Sequence, residues 1–290
     1  MNSSKKSILN SNFTYLAAFV LPVIMMMALY YTRGIFPWGN ECYLRSDMYH
    51  QYAPFFSELW HKIRNGESLT YSWNIGMGTN FTSLFAYYLA SPSNWFVALF
   101  PQKYTIEIMN AFIILKIAGS SLSLTYYLTK HNNNKHVIAA IFGMFYGMSG
   151  FIAAYSWNIM WLDCMVLLPL IVLGIEKIIK EGRYKLYCIS LGVAIFSNYY
   201  IAIMLCIFSL IYFVYGCIAY EGEKGVRFFV NRSMIFGVCS LLAGGMAACL
   251  ILPEYNALML TASGEFNFPE TWQNYFSIMD MMSRSLMNVK

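Results

Sequence analysis

The chain has 290 residues, 58% of them hydrophobic, 18% aromatic and only 11% charged, with a mean hydropathy of +0.49. A soluble chain carries roughly 25% charged residues, so this one lacks the polar surface to fold compactly in water, and its main solvent is lipid. The net charge of +5 is small and scattered, which excludes nucleic acid as a partner; the composition excludes disorder, a coiled coil, a collagen-like repeat and a disulfide-stapled secreted module.

In chain order, Phe13 to Tyr31 is an uncharged run of 19 residues, about 28 Å long at ~1.5 Å per residue and close to a hydrocarbon core of ~30 Å. It is too long for the apolar core of a signal peptide and ends in Leu29-Tyr30-Tyr31 in place of a small-residue cleavage site, so it reads as a retained first span. A 70-residue loop, 34–103, follows. Pro54 reads there as the first residue of a helix lying in the membrane surface, with Phe55, Phe56, Leu59, Trp60 and Ile63 in one apolar stripe and Glu58, Lys62 and Arg64 facing elsewhere. Gly76-Met77-Gly78 reads as a tight turn, because it lacks the remaining residues of a phosphate-binding loop. The stretch 81–101 is free of charge, but Ser91-Pro92-Ser93-Asn94 interrupts it, so it lies in the interface or re-enters it without crossing.

Further spans are expected at about 104–128, 137–155 and 164–179. The 35 uncharged residues 186–220 are too long for one crossing and break at Ser197-Asn198, giving spans 186–197 and 200–220. A last span, 234–252, is closed by Pro253. The fold class is therefore an all-α polytopic membrane protein of about seven transmembrane helices, with a long first outer loop that carries an interfacial helix. Eleven of the 19 Lys and Arg fall on the segments 1–12, 129–136, 180–185 and 221–233 or at adjacent span ends. The positive-inside bias then sets the N-terminus in the cytoplasm of a multi-pass cell-membrane protein.

Ten of the fourteen acids gather on the opposite, outer side. Asp47 stands among Arg45, Tyr49, His50, Gln51 and Tyr52, where it reads either as a general base or as a cap for the helix that follows. Trp73 and Asn74 continue the pattern of aromatics beside polar groups, and the second outer loop repeats it with Trp157, Asn158 and Asp163. Lys116 is the one isolated charge inside a span, which marks either a phosphate or carboxylate partner within the bundle or a snorkelling side chain, although it lies too central to snorkel easily. Of the seven cysteines none forms a Cys-x-x-Cys pair, so neither a zinc site nor a disulfide framework is indicated.

Ser46-Asp47-Met48-Tyr49-His50-Gln51-Tyr52, Trp73-Asn74-Ile75-Gly76-Met77-Gly78, and Trp157-Asn158 to Asp163 followed by Leu167-Leu168-Pro169-Leu170 resemble the YfhO family of bacterial membrane proteins. That family is similar to the GT-C glycosyltransferases, so the resemblance implies a GT-C-like bundle. The implied activity transfers a sugar from a polyprenyl-phosphate carrier to an extracytoplasmic cell-wall acceptor such as lipoteichoic acid. By the same resemblance Asp47 maps onto the base and Asp163 onto a second acid. The residues' own chemistry adds Arg45, His50, Gln51, Tyr49, Tyr52, Trp73, Asn74, Trp157, Asn158 and Lys116 as substrate-binding candidates. No organic cofactor is implied, and a divalent metal is allowed but not required. Family members are longer, so 253–290 reads as an outer segment leading into further sequence. The rival class is a transporter or flippase of a lipid-linked or other amphiphilic substrate, with Lys116 and the broken 186–220 segment forming a mid-membrane site.

Overall fold

The computed structural model describes residues 2–133, 137–222, 225–261 and 277–284. Lys135, Lys224 and most of the expected outer segment 253–290 lie outside them. Residues 1–254 form one compact unit and 255–290 a second.

Helix α1 (Asn2–Thr32) leads into a tight loop, a π-helical turn at Met48–Tyr52 and α2 (Ala53–Asn65). A two-stranded hairpin follows, β1 (Tyr71–Ser72) antiparallel to β2 (Thr79–Asn80). The chain then passes through α3 (Phe81–Leu84), a π-helical turn at Phe85–Leu89 and 3-10 turns at Pro92–Leu99 and Gln102–Tyr104. From there it is helical: α4 (Thr105–His131), α5 (Ile138–Gly147), α6 (Gly150–Tyr155), α7 (Leu162–Glu181), α8 (Lys185–Ser197), α9 (Tyr199–Ala219), α10 (Val226–Met246) and α11 (Ala248–Leu258). In the second unit α12 (Ile278–Arg284) begins at Ser277, whose Oγ accepts from the Asp280 N–H at 3.0 Å.

This is the architecture of an all-α polytopic membrane protein. Among the described residues six helical stretches are long and apolar enough to cross a membrane: Asn12–Thr32, Gln102–His131, Ile138–Tyr155, Ile159–Glu181, Tyr199–Ala219 and Val226–Met246. Seven spans were expected and six stretches reach that length; the difference is the expected span 186–197. Helix α8 is apolar but only 13 residues, about 20 Å at ~1.5 Å per residue. The break between α8 and α9 falls at Asn198, as the polar pair there suggested. Its Oδ1 caps α9 through the Ile201 N–H (2.9 Å), and its Nδ2 donates to the Tyr87 carbonyl (3.0 Å).

Two apolar cores hold the first unit together. One gathers Tyr30 of α1, Phe56 and Leu59 of α2, Phe81 and Leu89 of the irregular segment, and Met109 and Ile113 of α4. The other lies among α7 to α10, with Ile175, Tyr187, Phe213 and Phe236 inside it. Small residues let these helices close up: a Cβ at Gly174 would sit 2.6 Å from the Tyr187 backbone, so α7 and α8 touch main chain to main chain. At the end of the bundle away from the 33–104 loop, Glu176 accepts from Tyr127 and Tyr212 (2.9 Å each) and pairs with His131 (2.8 Å) and Lys180 (3.3 Å).

Two details of the sequence reading change. Glu58 and Lys62 do not face away from the apolar stripe of α2; both are buried. The reason is the hairpin, which folds back over α2. Glu58 accepts from the Ser72 hydroxyl (2.6 Å) and the Asn74 amide (3.0 Å), while Lys62 donates to the carbonyls of Ser68 (3.0 Å) and Tyr71 (2.9 Å). Burial alone pushes the Glu58 carboxyl up, but those two hydrogen bonds and the Lys62 and His61 charges outweigh it and hold it below the ordinary carboxylate range. Pro253, expected to close the last span, lies inside α11; the interruption comes earlier, at Ala247 between α10 and α11.

Candidate functional site

Asp47 opens the π-helical turn, and the backbone is set for it by the residue before. Ser46 holds φ +45°, in the left-handed region, which costs an L-residue about 1–2 kcal/mol. The Met48 N–H to Arg45 carbonyl bond (2.9 Å) and the Tyr49 N–H to Ser46 carbonyl bond (3.2 Å) hold it there. Strain of this kind beside a titratable group, together with a π-turn, is a pattern of functional sites. The carboxylate does not act as the expected cap, since it makes no side-chain capping bond. It is half-buried and has no ion pair or hydrogen bond from its side chain among the described residues.

Around Asp47 the chain assembles an aromatic wall from three separate segments. Tyr52 is buried and donates to Asn158 Oδ1 at 2.8 Å; Trp157 stacks on it with ring centroids 6.3 Å apart and planes at 11°. Tyr88 lies against Tyr52 (5.4 Å) and donates to Gln51 Oε1 at 3.2 Å. Tyr87 continues the wall toward Tyr199, whose hydroxyl donates to the buried Glu254 at 2.8 Å. Burial first, then the neighbouring tyrosines and the Asp47 charge, raise the Tyr52 and Tyr88 hydroxyls above the ordinary phenol range. Both therefore stay protonated at neutral pH and serve as donors.

The structure thus gathers Asp47, Gln51, Tyr52, Trp157 and Asn158. His50 and Tyr49 are exposed at the rim, ring edge to ring face at 5.3 Å. Trp73 is 75% exposed on the hairpin, and Asn74 is engaged by Glu58, so neither joins the wall. Arg45 is exposed and lines a cavity of about 710 Å³ beside α1, α4 and α6, to which Asp47 contributes no lining.

Lys116 and Asp163 find each other. The ammonium donates to Asp163 Oδ2 at 2.7 Å, to the Ile159 carbonyl at 3.2 Å and to Ser91 Oγ at 3.5 Å. Ser91 is fully buried, so the uncharged 81–101 segment does dip into the protein as far as the middle of α4. This cluster binds α4, α7 and the re-entering turn at the base of the aromatic wall. Sequence reasoning did not place Tyr87, Tyr88, Tyr199 or Glu254 in this neighbourhood. The available signal was two tyrosine doublets, 87–88 and 199–200, each beside a break in an apolar run. Among the described residues no group of three or more His, Cys, Asp and Glu could hold a metal ion.

The profile described as bacterial membrane protein YfhO matches residues 17–289. The chain belongs to the YfhO family. With its six apolar helices, this family member is a multi-pass membrane protein. It is 26% identical over 221 residues to the uncharacterized protein YfhO of Bacillus subtilis (strain 168), a match covering 71% of this chain and 25% of that protein. The chain thus spans about a quarter of the length of the curated relative it matches. No solved structure matches it.

Proposed function

We propose that this YfhO family chain carries the donor half of a membrane glycosyltransferase that moves a sugar from a polyprenyl-phosphate carrier to an extracytoplasmic cell-wall acceptor such as lipoteichoic acid. The observation that carries the reading is Asp47: a half-buried carboxylate on strained backbone, without a cation of its own among the described residues, at the edge of a wall of four tyrosines and Trp157. Flat aromatic faces pack against the apolar face of a sugar ring, and protonated phenols and amides bond its hydroxyls.

In this reading an acceptor hydroxyl loses its proton to Asp47 as its oxygen bonds to the anomeric carbon. The bond from that carbon to the phosphate oxygen breaks, and its electrons leave with the lipid phosphate. The sugar is transferred with inversion. Phosphate is a good leaving group, so removal of the hydroxyl proton is the step that gains most from a placed base. Gln51, Tyr52 and Asn158 position hydroxyls, His50 at the rim faces the departing phosphate, and the Lys116–Asp163 pair fixes the floor. The active face is extracytoplasmic, because the lysines and arginines concentrate at the other end of the bundle, at Lys130, Lys177, Lys180, Arg183 and Lys185. A transporter would use Lys116 as an open mid-membrane charge, yet its ammonium is engaged by Asp163.

Asp47→Asn in the full-length protein is the test. Loss of surface-polymer glycosylation by 10²-fold or more, at normal membrane levels of the variant, is expected for removal of a general base. Undiminished glycosylation would remove Asp47 from that role.

A further inference from the structure

The hairpin 71–80 takes no part in the Asp47 wall, yet two buried charges hold it in place. Glu58 accepts from Ser72 and Asn74, and Lys62 donates to the carbonyls of Ser68 and Tyr71. Leu69 and Ile75 pack inward against the first core, and Ser72 is buried. The turn is closed by the Gly78 N–H to Ile75 carbonyl bond (3.1 Å) and passes through Gly76 at φ +60° and Gly78 at φ +107°, a region that favours glycine. The Tyr71 and Trp73 rings both lie against Gly78, where a Cβ would strike the first and crowd the second. They meet each other edge to face, with centroids 4.9 Å apart. On this fixed support Tyr71, Trp73 and Met77 are 42%, 75% and 97% exposed. The hairpin thus presents an indole, braced by a phenol, to the outside.

The kind of ligand follows from the charge around it. Residues 68–102 hold no Asp, Glu, Lys, Arg or His, and Glu58 and Lys62 beneath are buried, so the outward surface of the hairpin is uncharged. A segment that docks on anionic headgroups carries lysines or arginines, and a polyanion needs them as well. A neutral sugar needs neither. The C–H face of its ring is flat and apolar and covers an indole, while the hydroxyls at its edge bond amides. One such amide is at hand. Asn80 is the cross-strand partner of Tyr71 and is exposed on the same face of the hairpin. Its Oδ1 accepts from the Thr82 and Ser83 N–H groups, which leaves Nδ2 as a donor. We propose that this hairpin is a carbohydrate-binding platform, with one neutral sugar ring stacked on Trp73 beside Tyr71 and a hydroxyl of that sugar accepting from Asn80 Nδ2. Helix α2 links the platform to the Asp47 turn: the six residues from Tyr52 to Glu58 rise about 9 Å at ~1.5 Å per residue. That the stacked sugar is one already carried by the acceptor chain rests on the transferase reading above; the stacking itself does not.

Calorimetric binding to the purified full-length protein tests this, in a zwitterionic detergent because sugar-headed detergents would compete. The probes are cellotetraose and chitotetraose, with glycerol 3-phosphate as an anion that has no ring. At least one tetrasaccharide should bind and glycerol 3-phosphate should not. Trp73→Ala should weaken the sugar about tenfold and Trp73→Phe by less. Glu58→Gln, which loosens the support without touching the ligand, should weaken it a few-fold. Trp73 is exposed, so unchanged thermal unfolding of Trp73→Ala is expected and shows that the fold is kept. Wild-type affinity in Trp73→Ala would overturn the platform, as would a wild type that binds neither sugar or binds glycerol 3-phosphate equally well. Hydroxyl-radical labelling of the protein in phosphatidylglycerol vesicles should oxidise Trp73 and Met77 readily; protection of both by the bilayer would make the membrane the occupant and overturn the proposal. Asp47→Asn separates this proposal from the catalytic one. It should bind the tetrasaccharide normally while losing transfer. If it transfers normally while Trp73→Ala loses sugar binding, the base assignment fails and the platform stands.

Discussion

Replacing Lys116 probes the interior most directly. Its ammonium lies 2.7 Å from Asp163, with side-chain exposures of 6% and 16%. At an effective dielectric of about 20 the Coulomb attraction at that separation is about 6 kcal/mol, opposed by a desolvation cost of several kcal/mol for each ion. The pair as a whole is thus close to neutral against two apolar side chains, but either charge alone is not. Lys116→Met should destabilise by about 3–5 kcal/mol, because it leaves Asp163 buried without a partner and frees Ser91 and the Ile159 carbonyl. Lys116→Met combined with Asp163→Leu should recover most of that loss. Denaturant unfolding in micelles of both single variants and the double gives the coupling energy. A double variant as unstable as the sum of the singles would refute the pairing, and with it the account of how the re-entering turn is held.

Other outcomes follow from individual contacts. Glu58→Gln should loosen the 71–80 hairpin by about 1–3 kcal/mol by placing an amide against the Asn74 donor, seen as faster proteolysis in the loop. Because the folded Glu58 carboxyl is held below its ordinary range, its contribution is present above about pH 4.3 and is lost as pH falls through that value and below. Protection of the hairpin from hydrogen exchange should decline over this acid window in the wild type and not in Glu58→Gln. Gly174→Ala drives a Cβ to 2.6 Å from the Tyr187 main chain, so α7 and α8 must part, at a cost of about 1–3 kcal/mol; an unfolding midpoint equal to the wild type would contradict that contact. Tyr52→Phe leaves the buried Asn158 Oδ1 without its donor and should cost about 1–3 kcal/mol in the same measurement. An impermeant thiol reagent should label the exposed Cys42 in intact cells; protection of that thiol would reverse the proposed orientation.

The low charge content, the long apolar runs and the break at Asn198 were legible because each follows from local rules: lipid excludes charge over ~30 Å of chain, and an asparagine caps the helix it interrupts. The Pro54 start of α2 and the Gly76–Gly78 turn were legible for the same reason. Asp47, His50 and Tyr52 could be singled out because polar residues are scarce in such a chain. Which of them meet could not be read. Lys116 and Asp163 are 47 residues apart, and nothing local to either says that α4 and α7 pack side by side. Tyr88, Tyr199 and Glu254 look like ordinary interface residues until the re-entering segment carries Tyr87 and Tyr88 against α9. Glu58 and Lys62 carry the helical spacing of a solvated face, yet the hairpin covers them. The sequence by itself determined the solvent, the helices and their breaks, since these depend on neighbours in the chain. Only the tertiary structure decided that Tyr52 meets Asn158 across two outer loops and that a lone lysine has its counter-ion, because a polar group buried in the bundle is satisfied by whichever segment packs against it.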